Sequence, residues 1–203
     1  MPAYLLTFTC YGTHIPGHQG TIDRNHNLHG ARIPDPNPKL RQYVDANLKQ
    51  SPHDMDPAQR TVTLNAIVEV CHRKDWHLLA AQVRSTHVHV VVDADVAPEI
   101  VMTIFKSYAS RALNARQPGQ RNRIRWARHG STRYLWSKES IDAAVVYVLD
   151  KQGERMAWYE AAPSVRSLTV AVPFQSQIKT GTSTQNRARK QADRRSHLVD
   201  EFA

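Results

Sequence analysis

Cysteine is scarce in this chain: Cys10 and Cys71 are the only two in 203 residues. Their positions give no metal-ligand spacing, and one pair makes no disulfide framework. They therefore read as reduced thiols of a cytosolic protein, packed in its core. No apolar run approaches the ~20 residues that a helix needs to cross a bilayer. No signal-peptide pattern opens the chain, so no membrane partner is expected. Aromatic residues make up 7%, too few for base stacking to be the whole basis of nucleic-acid binding. Acidic residues are outnumbered, 18 Asp and Glu against 27 Lys and Arg, which leaves a formal charge of +9. That balance favours a polyanionic partner. No internal repeat is present, and the length suits one domain with appendages.

What the chain does have is punctuated order. Tyr4 to Tyr11 is rich in strand formers and stops at Gly12. Residues 12–38 form a long polar stretch carrying His14, His18, His26 and His29, read as solvated or phosphate-contacting histidines. Residues 39–50 suit a short helix. A clearer helix follows, capped by Asp56 with Pro57 in its first turn and Leu64, Ile67, Val68 and Cys71 as its buried stripe. Residues 76–84 read as a strand, turning tightly at Ser85-Thr86 into an antiparallel partner. Pro98 opens a helix with Val101, Ile104, Phe105, Tyr108, Ala112 and Leu113 on one side. Residues 133–136 form a short strand. Ser137 or Ser140 then caps a last helix that ends at Gly153. Residues 164–174 suit an edge strand, and 179–195 are polar and basic. The expected fold is α+β, a ferredoxin-like antiparallel sheet with helices packed on it. Residues 1–160 form its domain and 161–203 a basic, polar extension.

The most informative segment is Ser85-Thr86-His87-Val88-His89-Val90-Val91-Val92. Strand side chains alternate, so His87 and His89 leave one face while Val88, Val90 and Val92 leave the other. Two imidazoles side by side on a buried strand can hold one divalent cation, and a cation beside a nucleophile is a common way to break phosphodiesters. With eleven histidines in the chain, a chance pair is the plain alternative, so the pair depends on its company. Basic residues crowd the segment from Arg111 to Arg133: Arg116, Arg121, Arg123, Arg125 and Arg128, with Trp126 and His129 interleaved. Cations beside rings suit nucleic-acid backbone and bases; a solvated charged face is the rival.

Tyr147 sits on the last helix, with Asp150 and Lys151 on its face at i+3 and i+4, which suggests an edge position. A His-hydrophobic-His strand followed by a helix bearing one tyrosine and a downstream glutamine resembles the single-tyrosine HUH transposases. These are the small insertion-sequence enzymes and their REP-associated relatives. Leu6-Thr7-Phe8 leading to Tyr11-Gly12-Thr13, Phe105-Lys106-Ser107, and His129 through Trp136 look like segments of the same family. The likeness covers roughly residues 1–159. It implies an enzyme that nicks and transfers single-stranded DNA, hairpin-bearing in the relatives. His87, His89 and a polar side chain of the tyrosine helix would hold Mg²⁺ or Mn²⁺. Tyr147 would attack phosphorus, leaving a 5′-phosphotyrosine and a free 3′-hydroxyl. It further implies a homodimer, with the tyrosine able to serve the partner's site, in a cytoplasmic, nucleoid-associated protein.

The chemistry is consistent with that. A free phenol has a pKa of about 10, so little phenolate exists at neutral pH, and a cation that takes up developing charge lowers the demand on the nucleophile. Lys151, one turn on, is a candidate cation beside the phenol. The family places its glutamine four residues after the tyrosine, whereas Gln152 lies five after Tyr147. Five helical steps turn about 140° away, so Gln152 as third ligand needs a distortion near the helix end. Asp150 is the alternative, since a carboxylate suits Mg²⁺. Two other functions remain open: a rolling-circle or relaxase-type nickase, and a non-catalytic ferredoxin-like module that binds nucleic acid.

Overall fold

The structure, a computed structural model, describes residues 2–17, 35–162 and 179–180. In chain order the elements are β1 (Ala3–Cys10), α1 (Pro38–Ala46), α2 (Pro57–Lys74), β2 (His77–Val83), β3 (His87–Asp93), α3 (Pro98–Arg116), β4 (Trp126–Leu135), α4 (Lys138–Asp150), β5 (Ala157–Glu160) and the two-residue β6 (Lys179–Thr180). The strands pair antiparallel throughout, in the order β4-β1-β3-β2-β5-β6. Through β4 this is the ferredoxin-like α+β arrangement expected from the sequence.

Alternation along the central strands decides how the sheet is covered. Leu6, Phe8 and Cys10 of β1 and Val88, Val90 and Val92 of β3 point to one side, where they pack against α2 and α3. Leu64, Ile67, Val70 and Cys71 of α2 and Val101, Phe105, Ala109 and Leu113 of α3 complete that core. The opposite face holds a smaller cluster: Ala3, Ala80, Val91 and Leu135 beneath Ala144, Val148 and Leu149 of α4. Among the described residues α4 is the only helix in that cluster, and the histidines lie on this face of the sheet, His89 at 4% exposure. Both cysteines are buried and unpaired, and burial pushes each thiol up to about 12.

Helix ends follow the expected chemistry. Asp56 caps α2 in a capping box with Gln59, with proline in the first turn. Ser137 caps α4, and Ser140 completes that box, so both candidate serines take part. Two expectations need correction. The strand read as residues 133–136 runs over Trp126–Leu135, because its first half carries polar residues on an exposed edge and so lacks an apolar alternation. Helix α4 stops at Asp150, short of Gly153; Lys151 caps it with φ −101° and ψ 7°. The edge strand read at residues 164–174 lies outside the described residues, as do His18, His26 and His29, and most of the basic stretch 179–195.

Candidate active site

Three strands and one helix end build the site. His89 of β3 stands directly opposite Thr7 of β1 and Gln82 of β2, and His87 stands opposite Thr9. Directly opposed residues of antiparallel strands share a face, so a polar row of Ser131, Thr7, His89 and Gln82 crosses the sheet on the α4 side. The imidazole rings of His87 and His89 lie 4.8 Å apart between centroids. Tyr147 approaches from α4, its ring 5.5 Å from that of His89 in an edge-to-face arrangement. It is 42% exposed. His14, from the segment after β1, places its ring 5.5 Å from that of His87.

Each histidine of the pair is anchored in the same way. Thr7 Oγ1 lies 2.7 Å from His89 Nδ1, and Thr86 Oγ1 lies 3.1 Å from His87 Nδ1. With Nδ1 engaged by a threonine in both rings, Nε2 is left on each as the outward nitrogen. A second hydrogen bond of this kind is what orients a metal-binding imidazole. Burial pushes His87 down to about 4, aided by His89, His14 and Arg84. Burial likewise pushes His89 down to about 4; its hydrogen bond with Gln152 opposes this, and Arg84 and His14 reinforce it. Both rings are therefore neutral at pH 7, with lone pairs available.

Gln152 reaches His89 through the early end of α4. Because the helix stops at Asp150, Gln152 escapes the helical rotation that would have carried it away from Tyr147. Its amide nitrogen donates to the Tyr147 carbonyl at 3.3 Å, and its side chain acts on His89 against the effect of burial, raising that imidazole's pKa. Asp150, the alternative, is turned to Arg155, whose Nη2 lies 2.6 Å from its carboxylate. Lys151 donates its backbone N–H to the Tyr147 carbonyl as the residue that ends α4.

These donors fit a divalent cation as two neutral imidazoles and an amide. No cluster of three or more His, Cys, Asp or Glu able to hold a metal stands among the described residues. Gln82 is fully buried beside His89, and neither its amide nitrogen nor its oxygen has a hydrogen-bond partner among the described residues.

The arginines expected to touch nucleic acid separate. Arg111 and Arg116 lie on α3, Arg121 and Arg123 on the connection to β4, and Arg128 and Arg133 on β4 itself. Arg125 is 2% exposed and hydrogen-bonded to Asn114 and Gln117, so its guanidinium is turned inward, unlike that of a surface arginine poised for a phosphate. Arg123 ties the same connection to the Ser51 and Pro52 carbonyls. The sequence did not single out Thr7, yet a signal was present: Thr7 alternates with buried Leu6 and Phe8 and so shares the face of the histidines. On the opposite face, α3 and β4 enclose a hollow of about 860 Å³. Lys106 there donates to the Ala127 and His129 carbonyls.

No curated protein matches the chain. It is similar to the solved structure of a REP-associated tyrosine transposase bound to a REP hairpin, at 11% identity and a TM-score of 0.40. That likeness covers 72% of this chain and 64% of the other. Residues 55–145 match the family model described as transposase, IS200 like. The match holds His87 and His89 and ends before Tyr147.

Proposed function

We propose that this protein is a metal-dependent endonuclease and strand transferase of single-stranded DNA, acting through a 5′-phosphotyrosine at Tyr147. The observation that carries this is the approach of the Tyr147 ring to within 5.5 Å of the His89 ring, with the Gln152 amide held on the Tyr147 carbonyl. A phenol, two imidazoles and an amide gather on the α4 side of the sheet. The family match over both histidines supports a transposase.

His87, His89 and Gln152 would hold Mg²⁺ or Mn²⁺, which when bound polarises the scissile phosphate and takes up developing negative charge. Thr7 and Thr86, each hydrogen-bonded to Nδ1, hold the two rings in the orientation that leaves Nε2 as the other ring nitrogen. The Tyr147 oxygen forms a bond to phosphorus as the bond to the 3′-oxygen breaks; the phenolic proton goes to solvent, and the 3′-oxygen leaves as a hydroxyl after gaining a proton. The phosphotyrosine preserves the phosphoester, so a later 3′-hydroxyl can displace the tyrosine without ATP. In this geometry the tyrosine serves the histidines of its own chain, and a homodimer is not needed to complete one site. Relatives that act as dimers make a homodimer the expected assembly nonetheless.

Arg111, Arg116, Arg121, Arg128 and Arg133 supply phosphate contacts, which makes binding salt-sensitive. A non-catalytic binding module accounts for the charge and the sheet but leaves the meeting of Tyr147, His89 and Gln152 without a reason. Incubation with hairpin-bearing single-stranded DNA and Mn²⁺ separates the two. A denaturation-resistant protein–DNA adduct that is lost in Tyr147→Phe and in His89→Ala supports the enzyme. Binding without an adduct supports the module.

A further inference from the structure

A groove of about 410 Å³ opens between α4 and the β1–β4 edge of the sheet. Small side chains create it: Ser140, Ala143 and Ala144 are the α4 residues that face the gap. Its floor is two cross-strand pairs, Leu5 with Arg133 and Thr7 with Ser131. Tyr147 also lines it. Thr7 belongs to both places, since its hydroxyl lies 2.7 Å from His89 Nδ1. The groove is thus continuous with the proposed active site and open at the edge strand.

Two of its polar groups are not used by the protein. The Arg133 guanidinium and the Ser131 hydroxyl make no hydrogen bond or ion pair among the described residues. Beside them stand the apolar surfaces of Leu5, Ala143 and Ala144. A fixed guanidinium fork matches phosphate oxygens two at a time. An apolar wall next to it matches the sugar and base of the same unit. The volume lies in the lower part of the range of about 300–1,000 Å³ typical of small-ligand pockets, which suits one nucleotide and excludes a duplex.

We propose that this groove is a subsite for one unpaired nucleotide flanking the phosphate attacked by Tyr147, with Arg133 gripping the phosphate of that nucleotide. The proposal rests on the function proposed above. It adds a structural reason for single-strand selectivity: the nucleotide must leave its stack to enter.

The test uses the full chain, without metal, and a fluorescent oligothymidylate of about 15 nucleotides, near the upper site size of single-strand binders. Arg133→Gln is expected to weaken binding about tenfold and to lower the salt slope by about one, as loss of one phosphate contact does. Ala143→Trp, at an exposed helix position, fills the groove without removing charge; it is expected to weaken binding with the salt slope unchanged. Neither variant should alter binding to the matching duplex. Lys74→Gln, at the end of α2, is the control for general charge. The subsite is overturned if Arg133→Gln does no more than Lys74→Gln, if Ala143→Trp leaves single-strand binding intact, or if duplex and single strand weaken alike. If wild-type protein fails to bind the oligothymidylate at all, the subsite is overturned as well. Adduct formation is measured separately, so the subsite can fail while the function proposed above stands.

Discussion

The Thr7 hydroxyl sits 2.7 Å from His89 Nδ1 across the β1–β3 pair. That bond fixes which nitrogen of His89 faces outward. Thr7→Val keeps the shape and the β-branch but removes the hydroxyl. Loss of such an outer partner is expected to lower Mn²⁺ affinity about 10–100-fold, read by electron paramagnetic resonance of free Mn²⁺. Thr7→Ser should restore most of it. Equal affinities for Val and wild type would show that Thr7 does not orient the ring.

The third donor is decided by comparing two residues. Gln152→Ala should weaken Mn²⁺ binding strongly. Asp150→Ala should leave it unchanged, because the Asp150 carboxylate is already held by Arg155. The cost of losing that exposed pair is about 0–1 kcal/mol of stability, visible as a small change in the urea midpoint. The reverse ranking of the two variants would reassign the ligand.

Acid should destabilise the metal-free protein in a defined window. His53, His87 and His89 are each pushed down to about 4, chiefly by burial. In the unfolded chain a histidine titrates near 6.5, so below that pH the unfolded state binds more protons than the folded one. Stability is therefore full above about pH 6.5, falls on acidification, and loses this contribution by about pH 4. Urea titrations in EDTA across pH 4–7 check the slope, and His53→Gln should flatten it. A stability independent of pH in that window would contradict the neutral, buried histidines.

Two packing predictions follow from close approaches and orphaned atoms. A Cβ added at Gly130 would lie 2.5 Å from Met102 Sδ and 2.6 Å from the Thr7 carbonyl oxygen. Since one neighbour is backbone, Gly130→Ala should cost about 1–3 kcal/mol, as overpacking does. Gln82→Met removes an amide whose nitrogen and oxygen are buried without partners. It should stabilise the protein, by up to about 1–3 kcal/mol per group relieved. Urea denaturation checks both; a destabilised Gln82→Met would show that the amide has a partner after all.

Much of the fold was legible because alternation is strict where the sheet is interior. Leu6, Phe8 and Cys10 against Thr7 and Thr9, and Val88 and Val90 against His87 and His89, gave both strands and the face of the site. Asp56 and Ser137 gave two helix starts. The first half of β4 was hidden, because Arg128, His129, Ser131 and Thr132 form an edge strand with little to bury. Which sheet face α4 covers is a tertiary choice, and helical periodicity alone does not encode it. The place of Gln152 was undecided because it depends on where α4 stops, set by the backbone of Lys151. Arg125 read as one member of a basic run, yet its guanidinium turns inward to Asn114 and Gln117; charge counts do not reveal direction.

The most direct measurement is the identity of the residue that carries DNA after cleavage. A single-stranded hairpin substrate, Mn²⁺ and wild-type protein are combined, the adduct is digested with protease and nuclease, and the modified peptide is sequenced by mass spectrometry. A nucleotide 5′-phosphate on Tyr147 is the expected result. The same modification on Tyr134, Tyr159 or any other residue would contradict the assignment of Tyr147 as the nucleophile beside His89.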